Sequence, residues 1–197
     1  MTMSVAPATL EGEYVRLEPM ESAHIDALTA AGGFEELWRL TTTRAVSRDE
    51  MLAYMMSAFA DQSAGTALPF VTVDKASGKI VGSTRFGNID TLNRRAEIGW
   101  TWVTPEFQRT YVNSEAKYLM LRHAFEVWGC VRVELKTDVL NTKSREAMKR
   151  IGAIEEGVLR KHALTQGGRY RDSIYFSILD TEWPAVRDRL RSFLDAV

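Results

Sequence analysis

Residues 94–135 limit the possible folds more than any other part of the chain. From 94 to 103 apolar and polar residues alternate, with Ala96, Ile98, Trp100 and Trp102 on one side. That period of two predicts a strand. Pro105 stops it. From 112 to 128 the apolar residues cover a wide helical arc: Ala116, Leu119, Met120, Ala124 and Val127, flanked by Leu121, Phe125 and Trp128. This spacing predicts a well-buried helix, ended by Gly129. Val131, Val133 and Leu135 then alternate with Arg132, Glu134 and Lys136, which predicts a second strand. The intervening chain is long enough for a right-handed crossover, so the two strands can run parallel.

The flanking sequence supplies the rest of a mixed sheet. Residues 13–18 alternate Tyr14 and Arg16 against Val15 and Leu17 and predict a short strand. Residues 21–31 place Ile25, Leu28 and Ala31 at helical spacing, and Gly32-Gly33 ends the run. Ser47-Arg48-Asp49-Glu50 is a capping box that opens a helix reaching about residue 62. Strands are predicted over 68–73 and 79–85, across the turn Asp74-Lys75-Ala76-Ser77-Gly78. A helix over 141–151 carries Ser144, Ala147, Met148 and Ile151 on one face and stops at Gly152. Strands over 153–164 and 169–179 meet at Thr165-Gln166-Gly167-Gly168, and a charged amphipathic helix covers 182–196. The expectation is an α/β domain over 10–197, preceded by a loose terminus over 1–9. Its mixed central sheet has about seven strands, with helices on both faces.

Composition removes several function classes. The 197 residues suit one domain, and 45% apolar with 26% charged residues argues against disorder. The net charge of −1 provides no global field for nucleic acid or an anionic membrane. No apolar run approaches the ~18 residues that span a bilayer. The lone Cys130 excludes an intramolecular disulfide and a multi-cysteine zinc site. His24, His123 and His162 are dispersed, so no metal is expected. No export signal is visible at the start, and a cytoplasmic location is expected.

Three segments carry candidate chemistry. The turn Gln108-Arg109-Thr110-Tyr111-Val112-Asn113 leads into the long helix, whose first turn is a ready-made anion site. Gln108, Arg109 and Asn113 can add side-chain donors. On this segment alone an ordinary turn is the commoner occurrence, with Asn113 as N-cap and Glu115 satisfying the helix dipole. Asn141-Thr-Lys-Ser144 opens the next helix past a neighbouring strand end, and Asn141 is a good N-cap. Two such helix starts flank the kind of crevice open α/β sheets use for ligands. Glu97 lies opposite the tryptophan face. Most strand glutamates are only solvated, but one pointing into a cleft beside aromatics can have a raised pKa and take a proton. Trp38, Trp100 and Trp102 can line a pocket, although large aromatics are more often core. Arg85, Arg94 and Arg95 read as a solvated basic edge. Cys130 reads as an inert buried thiol, and His123 as a core residue.

These pieces, in this order, resemble the GNAT N-acetyltransferase superfamily, in particular its RimJ/RimL-type branch. The residues that carry the likeness are Glu13-Tyr-Val-Arg-Leu, Ala96-Glu-Ile-Gly-Trp, Asn113-Ser-Glu-Ala-Lys, Asn141-Thr-Lys-Ser with Arg150-Ile-Gly-Ala, Glu156-Gly-Val-Leu-Arg, and Gly168-Arg-Tyr-Arg-Asp172. The resemblance implies a sheet splayed between its fourth and fifth strands, where the pantetheine arm of acetyl-CoA inserts. It implies a pyrophosphate resting on backbone N–H groups from Gln108 to Asn113, near Asn141. It also implies a thioester oxygen held by strand backbone near Trp102 or Val103. One departure stands out: Tyr111 and Asn113 occupy two loop positions that are small residues in the family. A positive φ at Tyr111 would cost about 1–2 kcal/mol.

The expected activity is acetyl transfer to a primary amine by direct attack. Glu97 is the expected base and Ser144 the expected donor to the departing sulfur, because Met148 stands where many members have a tyrosine acid. The acceptor is a protein N-terminus or a small-molecule amine, met by a pocket near Trp38 and by the last hairpin. A possible homodimer is also expected. The chief alternative is a GNAT-fold binding module that has lost CoA through the altered loop. Ribosome or RNA association follows only from the branch and draws little support from the charge.

Overall fold

The parallel pair expected from residues 94–135 is present and organises the sheet. The computed structural model describes residues 3–196. Its strands are β1 (Leu10–Glu11), β2 (Val15–Pro19), β3 (Leu68–Asp74), β4 (Ile80–Asp90), β5 (Arg95–Val103), β6 (Arg132–Asp138), β7 (Ile154–Leu164) and β8 (Tyr170–Leu179). They pair in the order β1-β2-β3-β4-β5-β6-β8-β7. Only β5 and β6 run parallel; every other neighbour is antiparallel. The sheet has eight strands rather than about seven. The additional strand, β1, has two residues, Leu10 opposite Leu17 and Glu11 opposite Arg16, and is too short to show alternation. The fourth and fifth strands of the sequence reading are therefore β5 and β6.

Five helices cover the sheet: α1 (Ile25–Gly32), α2 (Arg48–Ser63), α3 (Tyr111–Arg122), α4 (Thr142–Ile151) and α5 (Trp183–Leu194). The capping box at α2 forms as expected. Ser47 Oγ accepts from Glu50 N–H at 3.3 Å, and Glu50 Oε2 accepts from Ser47 N–H at 3.1 Å. One core lies between the sheet and α1 and α2, with Leu28, Met51, Met55 and Val71 buried. The other lies beneath α3 and α5, with Phe70, Phe86, Leu119 and Leu190 buried. Met3 is buried in this second core, and Val5 and Ala8 pack against it.

Two local irregularities correct the sequence pattern. The buried helix does not run evenly to 128: α3 ends at Arg122 and a π-helical turn spans His123–Val127, closed by Trp128 N–H to His123 O at 3.0 Å. The wider turn rotates the later residues, so Val127 is exposed while Trp128 stays buried. The second irregularity is in β5. Ser83 pairs with Trp102 and Arg85 with Gly99, so β5 holds one residue more than β4 across this step. The additional residue forms a β-bulge, and Trp100 adopts φ +50°. The alternation changes face there. Ala96 and Ile98 enter the core under α3, whereas Trp102 enters the core under α1 and α2, with Trp100 packed against it. The four residues therefore do not share one face.

The sheet also opens as expected. The parallel ladder comprises only Arg95–Arg132, Ala96–Val133 and Glu97–Glu134. Beyond it, β5 continues on β4 as far as Val103, and β6 continues on β8 as far as Asp138. The two strands part beyond Glu97.

Candidate active site

Glu97 sits at the point of divergence and is 2% exposed. Its Oε2 accepts from Lys136 Nζ at 2.9 Å and from Asn88 Nδ2 at 2.8 Å. Its Oε1 lies over Gly99, where a Cβ would come within 2.8 Å. A carboxylate taken from water needs such partners. Lys136 also lies 5.8 Å from the Trp100 ring and 5.7 Å from that of Tyr175.

Behind the bulge lies a residue that sequence reasoning missed. Lys117 of α3 is buried and donates to Thr101 Oγ1 at 3.0 Å. Thr101 also shares a 2.8 Å hydrogen bond with Thr84. Burial pulls the Lys117 ammonium down to about 7, against the attraction of nearby Glu97. The signal was available: Lys117 falls on the same helical stripe as Met120, Leu121 and Ala124.

The start of α3 resolves the altered loop. The N-cap is Thr110, not Asn113; its Oγ1 accepts from Val112 N–H at 3.3 Å. The positive φ, +64°, falls on Arg109 and not on Tyr111, which is the first residue of the helix. The Tyr111 ring packs on Tyr14 at 5.0 Å between centroids, and its hydroxyl donates to Asp74 Oδ1 at 2.7 Å. Burial opposes ionisation of Asp74, yet hydrogen bonds from Ser77 and Tyr111 hold its carboxyl below the usual range. The other first-turn N–H groups of α3 keep no intrahelical partner. They open beside a hollow of about 280 Å³ lined by Arg109, Thr110, Tyr111, Ser114, Arg150 and Phe193. Gln108 Nε2 donates back to Val103 O at 3.0 Å, which ties the loop to the end of β5 and leaves one of its two N–H groups over. Val112 is buried and Asn113 half-buried. Glu115 has a different task from the one expected. It reaches across to β2, and its two oxygens accept from Glu13, Tyr14 and Val15 N–H at 2.7, 2.8 and 2.6 Å.

Asn141 caps α4, its side chain accepting from Ser144 N–H at 3.1 Å. Both residues lie just past the end of β6, the strand that leaves β5. Ser144 is half-buried and Met148 buried. The two tryptophans separate. Trp38 is a core residue, 4% exposed, with its indole donating to Gly32 O at 2.8 Å. Trp102 packs beside it at 5.5 Å and is buried as well. Trp100 lines an open cleft of about 300 Å³ together with Tyr54, Arg44, Gln166 and Arg85. Arg85 was expected on a solvated edge with Arg94 and Arg95, but it is 1% exposed. It sits mid-strand in β4 and its guanidinium lies against the rings of Tyr54 and Trp100 at 5.4 and 4.8 Å. Cys130 is buried, and burial pushes its thiol up to about 11. His123 packs against Phe86 and Trp128, and burial lowers its pKa.

A sheet that opens beside a helix N-terminus, with a buried carboxylate at the opening, fits the resemblance found in the sequence. A family model described as an acetyltransferase (GNAT) domain matches residues 15–154. The chain belongs to the GNAT acetyltransferase family. Among its relatives is YdaF of Bacillus subtilis, provisionally named a ribosomal N-acetyltransferase, 37% identical over 106 residues. That match covers 54% of this chain and 57% of YdaF, so the shared segment is little more than half of either protein. A solved GCN5-related N-acetyltransferase from Brucella melitensis is 34% identical with a TM-score of 0.88, over 96% of this chain and 86% of that one. RimJ of Mycobacterium smegmatis, solved with CoA-disulfide, shares the fold: TM-score 0.81 at 24% identity, over 95% of each chain. This GNAT domain has an open sheet, and among the described residues no helix is long and apolar enough to cross a membrane.

Proposed function

We propose that this acetyltransferase uses acetyl-CoA and acetylates a primary amine by direct attack, with Glu97 as the base. The observation that carries the reading is the parting of β5 from β6 beyond a buried carboxylate, beside an open first turn of α3. The residues fit the co-substrate. The N–H groups at the start of α3, with Arg109 and Arg150, suit a pyrophosphate. Backbone N–H near Trp102 and Val103 suits the thioester oxygen, and the Ser144 hydroxyl suits the departing sulfur. Acetyl-CoA supplies the activated acyl group.

The protein's own part is proton control and positioning. A primary alkylamine is protonated at neutral pH, with a pKa of about 10, and must lose a proton before it attacks. Glu97 Oε2 is occupied by Lys136 and Asn88, so Oε1, over Gly99, is the oxygen left to accept that proton. Fixed backbone donors aimed at the developing oxyanion contribute more than the serine, because a thiol of pKa about 8.5 already leaves readily. The name of YdaF supports a ribosomal acceptor, and our reading takes a protein N-terminus as the amine, with a small-molecule amine as the alternative.

The rival reading, a binding module that has lost CoA, rested on Tyr111. Its hydroxyl is held by Asp74 and its φ is helical, which supports the acetyl-CoA reading over the rival. Thermal unfolding with and without acetyl-CoA tests the proposal. Saturating acetyl-CoA should raise the midpoint by mass action. An unmoved midpoint at millimolar acetyl-CoA would establish the rival.

A further inference from the structure

Arg85 is hard to explain as scaffold. It stands in the middle of β4 with its side chain 2% exposed. A buried guanidinium is costly unless its charge and donors are matched. Its one ionic partner among the described residues is Asp61, at 3.1 Å, and Asp61 is 47% exposed. Its Nε is buried and has no hydrogen-bond partner. Two rings, Tyr54 and Trp100, hold the guanidinium in place at the floor of the 300 Å³ cleft. The other cation lining that cleft, Arg44, is matched by Glu35 and Glu50. Arg85 is therefore the under-matched charge there.

Its position relative to Glu97 is equally informative. The Trp100 ring has Arg85 at 4.8 Å and Lys136 at 5.8 Å, and Lys136 pairs with Glu97. The Trp100 ring thus neighbours both Arg85 of the cleft floor and Lys136, the cation paired with Glu97. The bulge at Trp100 sets this up, and Gly87 makes room for the ring, because a Cβ there would come within 2.2 Å of it.

We infer that the acceptor is an amine that also carries a carboxylate, which Arg85 recognises while the amine faces Glu97. The inference rests on the acetyltransferase reading and adds its substrate class. It disfavours polyamines and other polycations, which would bring positive charge to a buried guanidinium. A charge-assisted pair made in a desolvated cleft discriminates strongly between an acid and its neutral amide.

Binding to the CoA-loaded protein tests it, using the dipeptide amides Ser-Glu, Ser-Gln and Ser-Lys, with free serine and serinamide, which lacks the α-carboxylate, as a second arm. Each is titrated calorimetrically against the full chain. The expected result is that the acid binds at least about tenfold tighter than its amide in one of the two arms, with Ser-Lys weakest. Preference among the dipeptides assigns a chain terminus, and preference for serine over serinamide assigns a free amino acid. Arg85→Gln should bring the acid-to-amide ratio to within about twofold of one. Asp61→Asn, at an exposed position, should raise the ratio by removing the competing carboxylate, and it decides the matter if the Arg85 variant does not fold. A ratio near one in both arms, binding of none of these compounds, or a ratio unchanged in the variants would overturn the inference. If CoA binding is intact in that case, the acetyltransferase reading survives; if the protein does not bind CoA at all, both fall.

Discussion

Replacing Lys117 with methionine should stabilise the fold at low pH and damage the enzyme. Lys117 is buried beneath β5, and burial holds its ammonium at about 7, well below the ordinary lysine value of 10.5. At about 1.36 kcal/mol per pH unit, that displacement corresponds to a penalty of at most about 5 kcal/mol. The sign follows from proton counting. Between pH 7 and about 10 the unfolded chain keeps the proton and the folded chain does not, so stability rises with pH across that window. Below pH 7 both states carry the proton and the penalty is full and constant. Methionine fills a similar volume without charge, at the loss of the 3.0 Å hydrogen bond to Thr101, worth about 1 kcal/mol. The variant should therefore be more stable by about 3–4 kcal/mol at pH 6, with the gain vanishing towards pH 10. Urea unfolding at pH 6, 7.5 and 9 measures this. Turnover should fall at the same time, because Thr101 follows the strained Trp100 and loses its tie to α3. A stability difference that does not change with pH, or a less stable variant at pH 6, would refute the reasoning.

Two further substitutions probe the frame around α3. Glu115→Gln keeps one of the two oxygens that accept from Glu13, Tyr14 and Val15, and should cost about 2–4 kcal/mol, read as a lower urea midpoint with an unchanged m value. Tyr111→Phe removes a donor from buried Asp74, and should cost about 1–3 kcal/mol in the same assay and weaken acetyl-CoA binding by calorimetry.

The strand–helix–strand unit over 94–135 was legible because each segment keeps one period over several residues. The opening of the sheet came from the resemblance, and the short ladder ending at Glu97 bears it out. What the pattern missed depends on single residues. One additional residue in β5 sends Trp100 and Trp102 to the other core, and a period-two count has no means of seeing a bulge. Val127 was misplaced for the same reason, by one π-helical turn. Charged residues were read as solvated because most are. Arg85 is buried by rings from α2 and from the bulge, contacts remote in sequence. Lys117 was visible on the apolar stripe of α3, but its partner Thr101 appears only once the strands are in register. Glu97 was picked out from the sequence, while Lys136 and Asn88, which hold it, came from β6 and β4.

The most direct test of the central claim is turnover by Glu97→Gln. With acetyl-CoA saturating at pH 7 and an amine that the unaltered enzyme acetylates, kcat should fall by about 10²–10⁴-fold, the usual contribution of a positioned base. Acetyl-CoA affinity should stay close to that of the unaltered protein, because the α3 start and Asn141 are untouched. Undiminished turnover would contradict the assignment of Glu97, and with it the account of how this open sheet carries out acetyl transfer.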